Sequence, residues 1–347
     1  MGRGEAPGRI NLIGEHTDYN EGFVLPAVLP QRVSVTVRAR NDELVRATSD
    51  GFPSIAFSLR DADRAGGWAD HVRGVTWALR DAGHGIRGYE ASITSRLQAG
   101  AGLGSSAALE VALLRALREE FALPIDDLAL AMLAHRSESE FVGARVGTMD
   151  QLAASLGREG EALLIDTRTN ELERVPLPVD LGLIVVDSGI AHQHASGGYN
   201  DRRNESEDAA RLLGLRALRD ATAVDVERLA VTAPLLAARA RHVVTENARV
   251  GWFLDALRAG DLARCGQLVD ASHRSLRDDY AVSIPEVDAL AELLRSQRGV
   301  YGARLVGGGF GGAVLAIARP QVTAVAARAT ADAYRKRIGR EARVVLS

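Results

Sequence analysis

Residues 98–108 read Gln-Ala-Gly-Ala-Gly-Leu-Gly-Ser-Ser-Ala-Ala and run straight into an apolar stretch. Gly100, Gly102 and Gly104 put no side chain in the way of an anion and tolerate positive φ. Ser105 and Ser106 stand at the expected helix start, where backbone N–H groups are unpaired and the helix dipole is positive, a natural seat for phosphate. The chain's one lysine is Lys336, so a G-x-x-x-x-G-K-[ST] loop is excluded. A nucleotide held here belongs to a different class of phosphate-transfer chemistry.

Two further clusters could do chemistry. Arg9-Ile-Asn-Leu-Ile-Gly-Glu15-His16-Thr-Asp18-Tyr-Asn20 interleaves polar and apolar side chains. Glu15, His16 and Asp18 supply acceptors and donors that suit a ligand rich in hydroxyls; a zinc site or a solvated loop are the other readings. In Glu138–Gln151, Asp150 lies among Gly147, Met149, Leu152 and Ala153. A carboxylate in such company is paired or functional, or it caps a helix, and spacing alone does not choose. His192-x-His194 invites a metal reading, but loop or sugar-proximal side chains are expected. Gly307–Gly312 matches G-x-G-x-x-G. The dinucleotide fingerprint needs a helix after the glycines, and Ala-Val-Leu-Ala-Ile-Ala follows instead. A hairpin, with its backbone close to a ligand or to the other glycine loop, is the better expectation.

The elements that must position these groups follow from periodicity. Val33–Arg40, Val45–Ala47, Ser54–Leu59 and Tyr89–Ser95 read as strands, the last entering the glycine loop. Trp68–Leu79, Ala107–Phe121 and Ile125–Glu140 read as helices. Ala162–Asp166 and Leu181–Asp187 are strand-like, and Pro176 and Pro178 mark a boundary. Then come the helices Tyr199–Leu213, Leu235–Ala259, Leu262–Arg277 and Glu286–Arg295, the strand pair Ala303–Val306 and Ala313–Ala318, and a helix over Ala324–Ile338. Hairpins with grouped helices favour α+β over a doubly wound sheet.

With 347 residues the chain is long enough for two domains. The net charge of −3 gives no broad basic field for nucleic acid or anionic membrane. No run approaches the ~18 apolar residues of a membrane span, and the N-terminus lacks a signal peptide's apolar core. The lone Cys265 points to a reducing compartment.

Three separated segments resemble one family. Ala6–Asn20 is similar to the galactokinase signature nearly residue for residue. Gly100–Ala108 looks like the phosphate-binding motif of the GHMP kinases, and Leu305–Gly312 resembles that superfamily's third motif. Trp68–Gly74, Gly147–Gln151, His192–Arg203 and Ser275–Tyr280 also fit. The resemblance implies an α+β fold of two domains, expected at 1–175 and 176–347, with the active site in the cleft between them. It implies transfer of the ATP γ-phosphoryl group to the C1 hydroxyl of galactose. By the family pattern Asp150 is the catalytic carboxylate and Arg9 lies beside it and the migrating phosphoryl group. Glu15, His16, Asp18, Gly147 and Tyr199 would hold the sugar. Gly100, Ala101, Gly102, Leu103, Gly104, Ser105 and Ser106 would hold ATP, with Trp68 against adenine. Ser106 and Glu138 match the Mg²⁺ positions. A cytoplasmic monomer acting on galactose and ATP, with no nucleic-acid or membrane partner, is the resulting expectation.

The chain departs from the pattern in places. Relatives carry a longer segment before the first motif, so an N-terminal strand is expected to be missing. Gly104 stands where serine is frequent, and Thr148 where isoleucine is usual. A kinase for a related sugar and a silent galactose- and ATP-binding sensor are the rival readings. The Glu15-His16-Thr17-Asp18 match argues against the first, and the retained Ser105, Ser106, Asp150 and Arg9 argue against the second.

Overall fold

The computed structural model describes every residue except 62, 98–99, 101 and 191–194, together with the side chains of 195–197. The strands are β1 (Gly2–Asn11), β2 (Phe23–Val24), β3 (Pro26–Ala39), β4 (Leu44–Ser49), β5 (Ile55–Ser58), β6 (Tyr89–Ser95), β7 (Glu161–Asp166), β8 (Glu171–Pro176), β9 (Gly182–Asp187), β10 (Val300–Val306), β11 (Ala313–Ala318) and β12 (Arg343–Leu346). The helices are α1 (Ala69–Asp81), α2 (Ser105–Phe121), α3 (Asp127–Arg136), α4 (Met149–Leu156), α5 (Ala195–Leu213), α6 (Ala223–Thr232), α7 (Pro234–Arg258), α8 (Leu262–Asp278), α9 (Pro285–Arg295) and α10 (Thr323–Ile338). The chain forms two compact units, one of Met1–Arg9, Val28–Ala99 and Leu103–Glu159, the other of Ile10–Ala27, Gly100–Gly102 and Gly160–Ser347. Both mix sheet and helix, so the class is α+β.

In the first unit β3 pairs antiparallel with β6, β6 parallel with β4, and β4 antiparallel with β5. Val33, Val35 and Val37 alternate inward on β3 and are buried, as their period of two requires. β1 is rich in glycine, yet it is a strand. A Cβ on Gly2 or Gly4 would lie 2.2 or 2.1 Å from the α2 carbonyls of Ala116 or Ala112. Only glycine allows the strand so close to that helix, and α2 in turn is buried over most of its length. Asp126 caps α3 by accepting from the Ala129 N–H. Beyond Arg136 the chain continues as a π-helical turn, Ser137–Val142, so the helix expected to reach Glu140 widens before its end. The absent side chain of Gly74 gives this turn room, since a Cβ there would lie 2.5 Å from Ser137 Oγ.

In the second unit the antiparallel order is β10–β11–β9–β12, and β7 pairs with β2 and β8. α8 packs on β10 at a glycine pair, where a Cβ on Gly302 would meet the Gly266 carbonyl at 2.1 Å. β11 is buried at every residue, and its partners Ile184 and Val186 on β9 join the same core as Leu276, Leu290 and Tyr334. Gly307–Gly312 closes the β10–β11 hairpin. No helix follows those glycines, which removes the dinucleotide-fold reading. Among the described residues, no helix is long and apolar enough to cross a membrane.

Candidate active site

The first unit gathers Arg9, Asp150 and the start of α2. Arg9 lies near the end of β1, and its backbone N–H donates to the Leu103 carbonyl at 3.0 Å. Its side chain is buried, and its fork grips Asp150 with both arms: Nε donates to Oδ1 at 2.7 Å and Nη2 to Oδ2 at 2.5 Å. Two parallel charge-assisted bonds fix the carboxylate in plane as well as in place. Asp150 sits in the first turn of α4, whose N-cap is Thr148, so pairing rather than capping describes it. Gly147 precedes that turn and is half-buried.

Gly104 is the N-cap of α2, with φ 71°. A Cβ there would be 3.2 Å from Arg9 Cγ, so glycine serves both the left-handed backbone and the approach of the arginine. No side chain caps this helix, and the first carbonyl-to-amide bond inside it runs from the Ala108 N–H to the Gly104 carbonyl. As at any helix start, the N–H groups of the opening turn, Ser105 and Ser106 among them, have no partner within the helix. Gly100 and Gly102 also have positive φ, and Leu103 is buried. Ala101 lies outside the described residues, as do His192 and His194. Trp68 is the N-cap residue of α1; its indole N–H donates to the Pro53 carbonyl at 3.1 Å and its ring faces Phe52 at 6.0 Å.

Glu138 projects from the π-helical turn, is buried, and accepts from Gln151 Nε2 at 2.5 Å and from the Ser106 hydroxyl. Burial raises its pKa, against the opposing pull of His71 and Ser106. Behind it, sequence reasoning missed a second buried carboxyl. Glu110 on α2 contacts His71 Nδ1 at 2.9 Å and accepts from the Ser137 hydroxyl at 3.3 Å. Its pKa is pushed up to about 8 by burial and by the Glu138 charge. The i, i+4 spacing of Ser106 and Glu110 on one helix face was the available signal. These oxygens fit Mg²⁺ in kind: a buried carboxylate beside a hydroxyl is a pair of hard oxygen ligands. No group of three or more His, Cys, Asp or Glu among the described residues could hold a metal ion.

In the second unit the signature loop is braced from below. Glu15 is buried; its Oε2 accepts from Asn11 Nδ2 at 2.7 Å, its Oε1 accepts from the Gly307 N–H at 2.5 Å, and Arg304 Nη2 lies 3.6 Å away. Arg304 is itself fully buried and donates to the carbonyls of Leu12, Asn11 and Leu305. The first and third motifs are thereby tied together. The two glycine loops also meet: a Cβ on Gly307 would be 3.3 Å from the Gly102 carbonyl. His242 Nε2–H donates to the Glu15 carbonyl at 3.0 Å.

His16 has φ 62°, a costly conformation for a non-glycine residue. Its ring is packed against Tyr280, Tyr199 and Tyr19, with centroids 4.8, 5.7 and 5.8 Å away. Burial lowers its pKa to about 3, so the imidazole is neutral. Asp18 opens a 3₁₀ turn beside it, half-buried, and its carbonyl accepts from the Thr167 hydroxyl at 2.9 Å. Sequence reading missed Tyr19 and Tyr280 as site residues, although both lie in segments that carried the resemblance.

Three family patterns match the chain: the galactokinase galactose-binding signature over residues 3–39, the GHMP kinases N terminal domain over 70–158, and the GHMP kinases C terminal domain over 253–336. The chain is 44% identical to a galactokinase of Roseiflexus sp. (strain RS-1), over 98% of this chain and 89% of that protein. It is 39% identical to a galactokinase of Thermotoga maritima, over 96% and 94% of the two. The crystal structure of Lactococcus lactis galactokinase complexed with galactose superposes with a TM-score of 0.93 at 33% identity, over 99% of this chain and 92% of that one. L. major mevalonate kinase, at 20% identity and TM-score 0.67 over 96% and 92% of the two chains, shares the fold. With near-complete coverage at these identities, the chain belongs to the galactokinase family of the GHMP kinases.

Proposed function

We propose that the protein is a galactokinase, transferring the ATP γ-phosphoryl group to the C1 hydroxyl of α-D-galactose to give galactose 1-phosphate and ADP. The bidentate Arg9–Asp150 pair carries this reading. Asp150 receives the hydroxyl proton as the oxygen attacks. Arg9 holds that carboxylate in line and neutralises phosphate oxygens, because phosphoryl transfer depends on alignment and charge more than on covalent steps. Gly100–Ser106 seats the phosphates and Trp68 the adenine. Glu15, which keeps acceptor capacity beyond its three contacts, holds sugar hydroxyls with His16, Asp18, Gly147 and Tyr199. Ser106 and Glu138 would hold Mg²⁺, which supplies charge neutralisation at the phosphates when bound. The two-domain division at 1–175 and 176–347 belongs to this reading, supported by family patterns falling at 70–158 and 253–336. So do a monomeric state and a cytoplasmic location, the latter supported by the single, buried Cys265.

The test is ADP release with and without galactose, against C2- and C6-modified sugars. Galactose-dependent release, with the modified sugars turned over far less, is the expected result. Comparable turnover of a modified sugar defeats the galactose assignment, and no sugar-dependent release defeats the kinase. Within it, Asp18→Ala is expected to raise KM for galactose about tenfold or more, the loss of a charged hydrogen bond, and to leave KM for ATP near its starting value. An unchanged galactose KM removes Asp18 from the sugar site.

A further inference from the structure

A chain of hydroxyls in the second unit fixes which nitrogen of His16 carries its proton. The Ser206 hydroxyl contacts the Arg202 carbonyl at 3.0 Å. A carbonyl only accepts, so the Ser206 proton is committed there. Ser206 Oγ also lies 2.7 Å from the Tyr280 hydroxyl, which must therefore donate to it. Tyr280 Oη lies 2.9 Å from Tyr19 Oη. With the Tyr280 proton already directed at Ser206, Tyr19 donates to Tyr280. Tyr19 Oη in turn lies 2.8 Å from His16 Nδ1. With no proton left on Tyr19 for that contact, Nδ1–H is the donor. Asn20 steadies the same knot: its Nδ2 donates to the His16 carbonyl at 2.8 Å, and its side chain reaches the Tyr280 hydroxyl.

A neutral imidazole has one N–H, so Nε2 is left as a bare lone pair. That atom is buried and has no hydrogen-bond partner among the described residues. A walled-off acceptor without a donor is destabilising, and a ligand hydroxyl relieves it. Resting on the sugar-kinase reading, we infer that His16 recognises its sugar hydroxyl as an acceptor only, so that this hydroxyl must donate its proton. Ser206, Tyr280 and Tyr19 are positioning residues that impose the tautomer. The consequence is a specificity rule: at that position the site distinguishes a hydroxyl from every group that can accept but cannot donate.

Two measurements test it. ¹⁵N-detected histidine spectra of the ligand-free protein at neutral pH are expected to show His16 protonated at Nδ1 and bare at Nε2. In Ser206→Ala the acceptor of the Tyr280 proton is gone and the bias is lost, so both tautomers are expected, with KM for galactose up about three- to tenfold and kcat and KM for ATP unchanged. A general structural weakening would move all three constants. In direct binding assays with monodeoxy and monofluoro galactoses, one position is expected at which the fluoro sugar loses as much affinity as the deoxy sugar. A protonated Nε2 in the free protein, or fluoro sugars that outbind their deoxy counterparts at every position, overturns the inference. Absence of galactose-dependent turnover with Nε2 bare counts against the kinase reading alone, because the tautomer is read without substrate.

Discussion

Asp150→Ala is expected to lower kcat about 10²- to 10⁴-fold, the usual worth of a positioned general base, while ATP binding stays close to that of the parent protein. The carboxylate contributes at two points. In the proposed reaction it accepts the proton of the attacking hydroxyl, and through its bonds from Arg9 Nε and Nη2 it sets the plane of the guanidinium that would face phosphate oxygens. Asp150→Asn separates these. The amide oxygen still accepts one bond from Arg9, so much of the alignment survives, but it takes no proton at neutral pH. If proton transfer dominates, Asn is nearly as inactive as Ala; if alignment dominates, Asn recovers a large share of the loss. Steady-state kinetics with both substrates varied, together with calorimetric titration of ATP, make the measurement. Full turnover in the alanine variant would remove Asp150 from the chemistry.

Much of this site was legible because its parts are local in sequence. A glycine loop running into an apolar helix announces α2 and its open N-terminus, and Ser105 is the helix's first residue. The alternation at Val33, Val35 and Val37 announces β3. What stayed hidden depends on partners far along the chain. β1 carries no strand signal in the sequence, because Gly2 and Gly4 argue against one on propensity; the close backbone of α2, more than a hundred residues away, makes glycine the fitting choice. α6 was overlooked although Thr222 and Asp225 form a capping box, a signal that was there to be read. Asp150 could be paired, catalytic or capping on spacing alone; the family resemblance puts Arg9 beside it, and the fold joins the two. Arg304 and Glu246 look like ordinary charged residues of a strand and a helix, yet both are fully buried beneath the signature loop.

Glu246 gives the second large expectation, and it concerns stability. Its Oε1 accepts from the Gly14 N–H at 3.0 Å, the Glu15 N–H at 3.3 Å and the Ser272 hydroxyl at 2.7 Å, and its Oε2 accepts from Arg249 Nε at 2.6 Å. Removing one member of a buried charged network leaves the rest uncompensated, typically at about 3–5 kcal/mol. Glu246→Ala is therefore expected to lose that much in urea unfolding, and the loosened loop is expected to raise KM for galactose. The pH profile carries the same signature. Burial alone would raise the Glu246 pKa, but the charges of Arg249, His242 and Arg304 and the Ser272 hydrogen bond prevail and hold it at about 2, below the ~4.3 of an unfolded glutamate. The unfolded chain thus binds this proton first, so the contribution is complete above pH ~5 and is lost as pH falls toward 2. His242, kept neutral by burial with a pKa near 4, loses stability earlier, as pH falls from about 6.5 toward 4. The Glu246 charge also raises the His242 pKa, so the variant should keep the onset of loss at pH ~6.5 that His242 sets, with that limb drawn out to lower pH, and lose the limb that belongs to Glu246. If parent and variant lose stability in parallel between pH 5 and 2, Glu246 is not the anchor of the signature loop.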